Sequence, residues 1–546
     1  MRRRDRAGGG ERSGGWGRIA LRCGAGLVAV LLCAGLANCM FYKTEVGVVS
    51  EDVARTPREF TVESPAKLHL RDGGVVLYDD GFKVRGETIL GHGERYDLTR
   101  STRTPVASLP AGEVLYIEYY DRKNQHRMIS EVTTAAASYA AGVGTLNLLK
   151  AIFGSCPTVY STDGDARRLE AELFSHSISR AWEMSDLDRL ESLLQRDGIA
   201  SVDLANEVLE THYIDALKLR VVDHGAGFEA FPLGNGDVAL TGAPAVPLQA
   251  RNSIGNDVLD SIARRDEKQY QSGERMLRAF TANAKRDWID LAVTVPRSAE
   301  SMYVLLRLRN TLFATVFLYD VAMAEQGYAA IDWMATDSGE AAYASRFSRW
   351  FNDGFGIALE VPAGDSYRRV AQLPPTGPIA WKQVAMKVSA PRPGVARLRL
   401  SFTPDNWSID WVGVSFATSD AMHSRVLDPQ ALTVRRGNGY AHDPSLLAGE
   451  DGRYLVTYPG DLYRVSYALP PVPAGMERSY FLASRGYYVE WMRMDWIAGR
   501  DAGEAPPMEF DDALLQRTAR TWLQKRGDLE ARFYGTRLPL EGGMAQ

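Results

Sequence analysis

The chain has 546 residues, 63 basic and 68 acidic, for a net charge of −5. Residues 1–38 hold seven arginines against Asp5 and Glu11, so the rest carries about −10; with no basic aromatic stripe, this excludes nonspecific nucleic-acid binding. At 45% hydrophobic and 10% aromatic residues the body is expected to fold, and about 500 residues exceed a single core, so three or four domains are expected.

The first predicted element is residues 1–42. Arg2, Arg3, Arg4, Arg6, Arg12, Arg18 and Arg22 precede an apolar run from Cys23 to Tyr42. A basic flank before an apolar stretch is the build of an export signal. The run also matches the about 20 residues a membrane-spanning helix needs. Leu36-Ala37-Asn38-Cys39 resembles the lipobox of bacterial lipoproteins, which implies lipid attachment at Cys39, although Asn38 stands where that family has Gly, Ala or Ser. Three outcomes stay open: lipidation at Cys39, retention as a membrane anchor, and ordinary cleavage. In each, the basic flank stays cytoplasmic and the bulk lies outside; lipidation or retention tethers it in a bacterial cell envelope, with the membrane as first partner. Cys23, Cys33 and Cys39 lie in this segment, leaving Cys156 alone in the body, so no disulfide framework is expected there. No His or basic cluster flanks Cys156, which therefore reads as a small buried hydrophobe.

Residues 43–59 read as a polar tether and 60–130 as a small β-domain. Its hairpins are marked by Lys67 to Leu70, the turn Asp72-Gly73-Gly74, Val75 to Tyr78 and a closing run from Val114. Residues 131–155 read as an Ala/Gly-rich helical connector; Arg122, Lys123 and Arg127 lie on the wrong side for the alternative, a second membrane span. Residues 156–280 read as a first β-sandwich-like module, with a helical stretch at Ser185 to Gln195 and an alternating strand from Tyr213 to His224. Residues 281–420 read as a second such module with a helical insertion from Thr311 to Met334. Residues 421–546 read as a mixed C-terminal region ending in a helix, Leu514 to Ala531, with a break at Gly527. The expected fold class is mainly β with helical insertions, α+β overall and multi-domain. Ile214-Asp215 and Ile409-Asp410 each lead an alternating strand, and both segments resemble the closing strands of galactose-binding-like jelly rolls.

No Walker loop, dinucleotide turn, HExxH, paired CxxC, GxSxG elbow or complete EF-hand loop occurs, so no cofactor or metal is expected and the balance leans away from an enzyme. Glu207, Glu210, His212, Asp215, Asp223 and His224 combine imidazole and carboxylate, the groups of zinc sites and of acid–base pairs. Strand alternation puts Glu210 and His212 on one face and Asp215 and Asp223 on the other, which splits the cluster into solvated residues. Asp163-Gly164-Asp165 offers two carboxylates where calcium takes six or more oxygens, and reads as a turn. Trp407 and Trp411, four apart on a strand, point to one side and form a candidate sugar-stacking platform, with core packing as the commoner alternative. Arg478 to Tyr488, rich in Arg and aromatics, suits an interface or a strand-turn-strand element equally.

Taken together, CPTVYSTDG (156–164), NEVLETHYID (206–215), Arg309-Asn310-Thr311, PGDLYRVSYALPPVP (459–473) and RGYYVEW (485–491) are similar to a group of uncharacterised bacterial envelope lipoproteins with a CPTVYS-type motif. That resemblance implies no known reaction and no functional residue. The expected role is binding or scaffolding in the envelope, of a polysaccharide or an envelope protein. The rival is an envelope hydrolase or carbohydrate-active enzyme with its site between β modules.

Overall fold

The computed structural model describes residues 45–48, 59–119, 156–326, 341–491 and 508–536, apart from breaks of one to six residues within those spans. Cys39 with its apolar segment, and residues 131–155, lie outside the described residues. No helix among the described residues is long and apolar enough to cross a membrane.

Eight short strands make the N-terminal sheet: β1 (Glu45–Val48), β2 (Phe60–Val62), β3 (Ala66–Leu70), β4 (Val75–Tyr78), β5 (Phe82–Arg85), β6 (Thr88–Tyr96), β7 (Arg103–Pro110) and β8 (Val114–Tyr119). The predicted hairpins form where the turns allow, with Gly73 and Gly81 at positive φ. The stretch expected as tether contributes β1, which pairs antiparallel with β8. This sheet is docked, not dangling: the His69 ring stacks 4.2 Å from Trp491, and the Tyr458 and Tyr213 hydroxyls donate to the carbonyls of Leu70 and Gly73.

The next strands are β9 (Thr158–Asp163), β10 (Ala166–Glu172), β11 (Met184–Leu190), β12 (Gln195–Arg196), β13 (Ile199–Ala205) and β14 (Glu210–Gly225), then a hairpin of β15 (Glu229–Pro232) and β16 (Val238–Thr241). Eight more follow: β17 (Gln249–Asn252), β18 (Asp287–Val295), β19 (Ser301–Asn310), β20 (Ile357–Ala363), β21 (Ser366–Leu373), β22 (Lys382–Ser389), β23 (Gly394–Phe402) and β24 (Trp407–Ser415). The last are β25 (Met422–Leu427), β26 (Ala431–Arg436), β27 (Leu455–Thr457), β28 (Leu462–Ala468) and β29 (Met476–Glu490).

These strands build two sandwiches, so the chain is mainly β and multi-domain as its patterning indicates. In the first, a sheet of order β10-β9-β13-β28-β26 faces one of order β11-β29-β14-β25. In the second, β17-β18-β23-β20-β21 faces β22-β19-β24. The sandwiches are nested rather than consecutive. Strands β25 to β29, expected in a separate C-terminal region, complete both sheets of the first sandwich, and the second is inserted between β14 and β25. The insertion leaves and returns at neighbouring points, with His224 opposite Met422. The boundaries at 280/281 and 420/421 therefore give way to an interrupted module, because a strand's own pattern does not name its partner.

The segment Ser185 to Gln195, expected as a helix, supplies β11 instead. Leu187 and Leu190 lie three apart, a helical spacing, but both faces of this strand are covered: Leu190 joins the first core and Leu187 the opposite face of the sheet. The expected Thr311–Met334 helix is α-helical at Phe313–Val316 and π-helical at Phe317–Met323, and residues 327–340 lie outside the described residues. It packs in the first core with the helices Glu274–Asn283, Ala341–Phe355 and Asp512–Thr536. The last is continuous through Gly527, where no break occurs.

Between the sandwiches lies the hairpin β15–β16. Ala230, Val238 and Leu240 pack on the outer face of the β11-β29-β14-β25 sheet, while Phe231 and Ala239 pack on Tyr303, Leu305 and Trp411 of the second sandwich. Alternation thus makes one ribbon serve two cores, which is why both its strands read as almost uninterruptedly buried.

Candidate functional site

The hairpin does not fill the seam, and beside it lies a cleft of about 450 Å³. One wall is the outer face of β14, carrying Ala216, Lys218 and Arg220; the facing wall holds Pro374, Lys382 and Val384 of the second sandwich. A β-bulge shapes the first wall. Ile214 pairs with Gly486 but Ala216 with Arg485, so Asp215 is an extra residue that inverts the alternation. Ile214, Leu217, Leu219 and Val221 consequently all face the core, and Ala216, Lys218 and Arg220 face the cleft. The bulge is held by Asp215, whose carboxylate accepts the N–H groups of Gly452 at 2.8 Å and Asp451 at 3.2 Å.

At the edge of the cleft the two sandwiches are joined by an ionic clamp. Lys382 Nζ on β22 donates to Asp186 Oδ1 at 2.5 Å and to Asp188 Oδ1 at 2.8 Å, both on β11. Burial and the neighbouring Asp186 charge push the Asp188 carboxyl up to about 7, against the opposing pull of Lys382. For Lys382, burial acts to lower the pKa, and the two carboxylates outweigh it and hold the ammonium above its ordinary value. Asp188 Oδ2 has no hydrogen-bond partner among the described residues. The same seam carries Arg189 between Glu229 and Gln383, each at 3.0 Å, and Glu191 accepting from Gln383 at 2.6 Å and Arg307 at 3.1 Å. Glu172 accepts the N–H groups of Ile379 and Ala380 at 2.6 and 2.9 Å. The modules are therefore held in one relative orientation by charge-assisted bonds.

Neither tryptophan faces a ligand. Trp407 is wholly buried in the second core, its indole N–H donating to the Phe355 carbonyl at 3.0 Å. Trp411 is 6% exposed and covered by the Arg265 guanidinium, 4.0 Å from its ring. They do not even share a side. Ile409 pairs with Leu308 and Trp411 with Arg307, so Asp410 forms a second bulge that sends Trp407 into one core and Trp411 into another. Both Ile-Asp segments thus end in a bulge; Asp410 is held by Arg307 at 2.7 Å.

The acid–histidine cluster is dispersed, and its members are buried, not solvated. Glu207 accepts from Thr158 and Tyr160, Asp223 is bound bidentately by Arg478 at 2.6 and 2.9 Å, and His224 meets Ser479 at 2.9 Å. Glu210 and His212 meet at 3.2 Å, with Tyr319 donating to the carboxylate. Burial pushes His212 down to about 3, so it is neutral at ordinary pH. Among the described residues no group of three or more His, Cys, Asp or Glu is placed to hold a metal. Asp163 pairs with Ala166 across a hairpin, and Gly164 and Asp165 lie outside the described residues. The Cys156 thiol donates to the Ser175 carbonyl at 3.1 Å, and burial raises its pKa well above the ordinary value. Arg478 to Tyr488 lies within β29, a single strand without a turn.

Sequence patterning missed Asp186, Asp188, Lys218, Arg220 and Lys382. Lys218 and Arg220 sit two apart on an alternating strand, the one local signal available. Lys382 carries no such signal, because its partners are remote in the chain.

No protein-family model matches this chain, and no curated protein matches it. Among solved structures, a chain described under the triple jelly-roll fold and turret assembly of an archaeal virus aligns with 66% of this chain and 93% of its own length, at 8% identity and a TM-score of 0.13. A likeness that slight carries no argument about this protein.

Proposed function

We propose that the chain is an exported, membrane-tethered scaffold of a bacterial cell envelope, which binds a polysaccharide or an envelope protein at the seam between its sandwiches and catalyses no reaction. The observation that carries this is the Lys382 clamp. Asp186 and Asp188 are both engaged by Lys382 across a module boundary rather than presented singly to the cleft. The clamp instead gives the cleft rigid walls, which suits binding because little ordering is left to be done when a ligand arrives. The envelope half of the proposal is supported by the basic flank, the apolar run and Cys39. One observation favours the hydrolase alternative: Asp188, pushed up to about 7, lies in the range of a general acid.

Incubation of the protein with isolated envelope polysaccharide separates the two. Co-sedimentation without new reducing ends is expected; reducing ends that form with the wild type and vanish with Asp188→Asn would establish the hydrolase. Attachment is read independently by labelling cells with a palmitate analogue. Label in the wild type but not in Cys39→Ala is expected, and label retained in the variant, or absent from the wild type, would sink lipidation at Cys39.

A further inference from the structure

We infer that the cleft takes an anionic group, a carboxylate or phosphate, carried on a glycan, with Arg220 as the recognising cation and Lys218 beside it. This rests on the binding role proposed above and names its ligand class. The two side chains occupy alternate positions of β14 on the face that the Asp215 bulge turns toward the cleft, about 7 Å apart along the strand.

Their charges are answered to different degrees. Lys218 lies 3.2 Å from Asp428, with the side chains 27% and 63% exposed, so solvent screens the pair and it contributes little. Arg220 donates to Ser424 Oγ at 2.8 Å and to the Gly236 carbonyl at 3.1 Å. Both acceptors are neutral, and Arg220 forms no ion pair among the described residues. A guanidinium has five N–H donors, so two neutral contacts orient it and leave donors and the full charge for a ligand. Lys382 on the opposite wall is matched by Asp186 and Asp188, and Glu450, exposed on the β14 side, lies 3.9 Å from Arg485, which also meets Glu183 and Asp215. Arg220 is therefore the lining cation that no carboxylate among the described residues engages.

The remaining lining suits a polyol. Leu233, Pro374 and Val426 offer short apolar patches for C–H groups, and Ser185, Thr376 and the Gly234-Asn235-Gly236 main chain offer hydrogen bonds for hydroxyls. No aromatic ring among the described residues lines the cleft, so a neutral sugar has none of them to stack on, and charge supplies the selectivity. Its volume falls in the range of small-molecule sites, enough for a short run of sugar units.

Isothermal titration of the detergent-solubilised full chain tests this with oligogalacturonate, glucose 1-phosphate and neutral oligogalactose. At least one anionic saccharide is expected to bind about tenfold or more tightly than the neutral one, with affinity falling as salt rises. Arg220→Gln should weaken that binding about tenfold or more with an unchanged melting temperature, while Arg220→Lys should keep most of it. Equal affinity for the neutral oligomer, or unchanged affinity in a folded Arg220→Gln, would overturn the ligand class while leaving a binding role. Failure of all three ligands to bind, with polysaccharide co-sedimentation intact, would overturn the assignment of this cleft; loss of co-sedimentation as well would remove the binding role itself.

Discussion

Lys382 and Asp186 meet at 2.5 Å across the seam between two sandwiches although 196 residues separate them in the chain. Strand β11 brings the acid and strand β22 the base, so the bond forms only when both modules are folded and docked. Lys382→Met keeps the chain length and removes the charge, leaving Asp186 and Asp188 to repel each other where water reaches them poorly. Removing one partner of a buried pair costs about 3–5 kcal/mol. The side chains here keep 7–18% exposure, so the expected loss lies near the lower end of that range. Denaturant unfolding near neutral pH measures it, and an unchanged midpoint would mean the clamp is incidental.

Asp188 predicts a pH dependence of definite sign. Its carboxyl is pushed up from 3.8 to about 7 in the fold. Between those values the folded chain holds a proton that the unfolded chain has released, so this group's contribution to stability falls as pH rises from about 4 to about 7. Asp188→Asn removes that slope. The difference in unfolding free energy between pH 4.5 and pH 7.5, roughly the two ends of this window, should change in the variant toward greater relative stability at the upper value. Identical pH profiles for variant and wild type would show that Asp188 is ionised throughout.

Trp407 should matter for folding and not for ligands. Trp407→Ala empties a fully buried site, at an expected cost of about 3–5 kcal/mol. Trp407→Phe should be milder, since Asn406 Nδ2 also donates to the Phe355 carbonyl and keeps it satisfied. Thermal unfolding ranks the two. A folded Trp407→Phe protein that had lost saccharide affinity would reinstate a ligand role for this ring.

Two glycines should respond oppositely to alanine. Gly486 lies opposite Ile214, beside the Asp215 bulge, and a Cβ there would collide with the Tyr213 carbonyl oxygen and come within 2.9 Å of the Phe174 ring. Main chain cannot move aside as a side chain can, so Gly486→Ala should cost at least about 1–3 kcal/mol. Gly527 lies inside the closing helix, where an added Cβ meets no atom within 4 Å. Gly527→Ala should therefore stabilise by up to about 1 kcal/mol. Melting temperatures of the two variants on either side of the wild type are the expected outcome.

Much of this architecture is written in local pattern. Alternation marks β14, β18, β23 and β24, turn residues mark the N-terminal hairpins, and the lone body cysteine reads as the buried thiol that it is. Each of these depends only on residues within one strand or turn, and backbone preference and side-chain parity act at that range. What the tertiary structure alone decided is which strands pair and which face each side chain meets. The bulges at Asp215 and Asp410 each add one residue against a partner strand, and a single added residue inverts every side chain beyond it. That inversion separates Trp407 from Trp411 and turns Lys218 and Arg220 into the cleft. Burial on both faces gives β11 a helix-like spacing, and pairing with β25 to β29 splits the first sandwich around the second. Register and partnership are properties of two segments at once, so neither segment's sequence carries them.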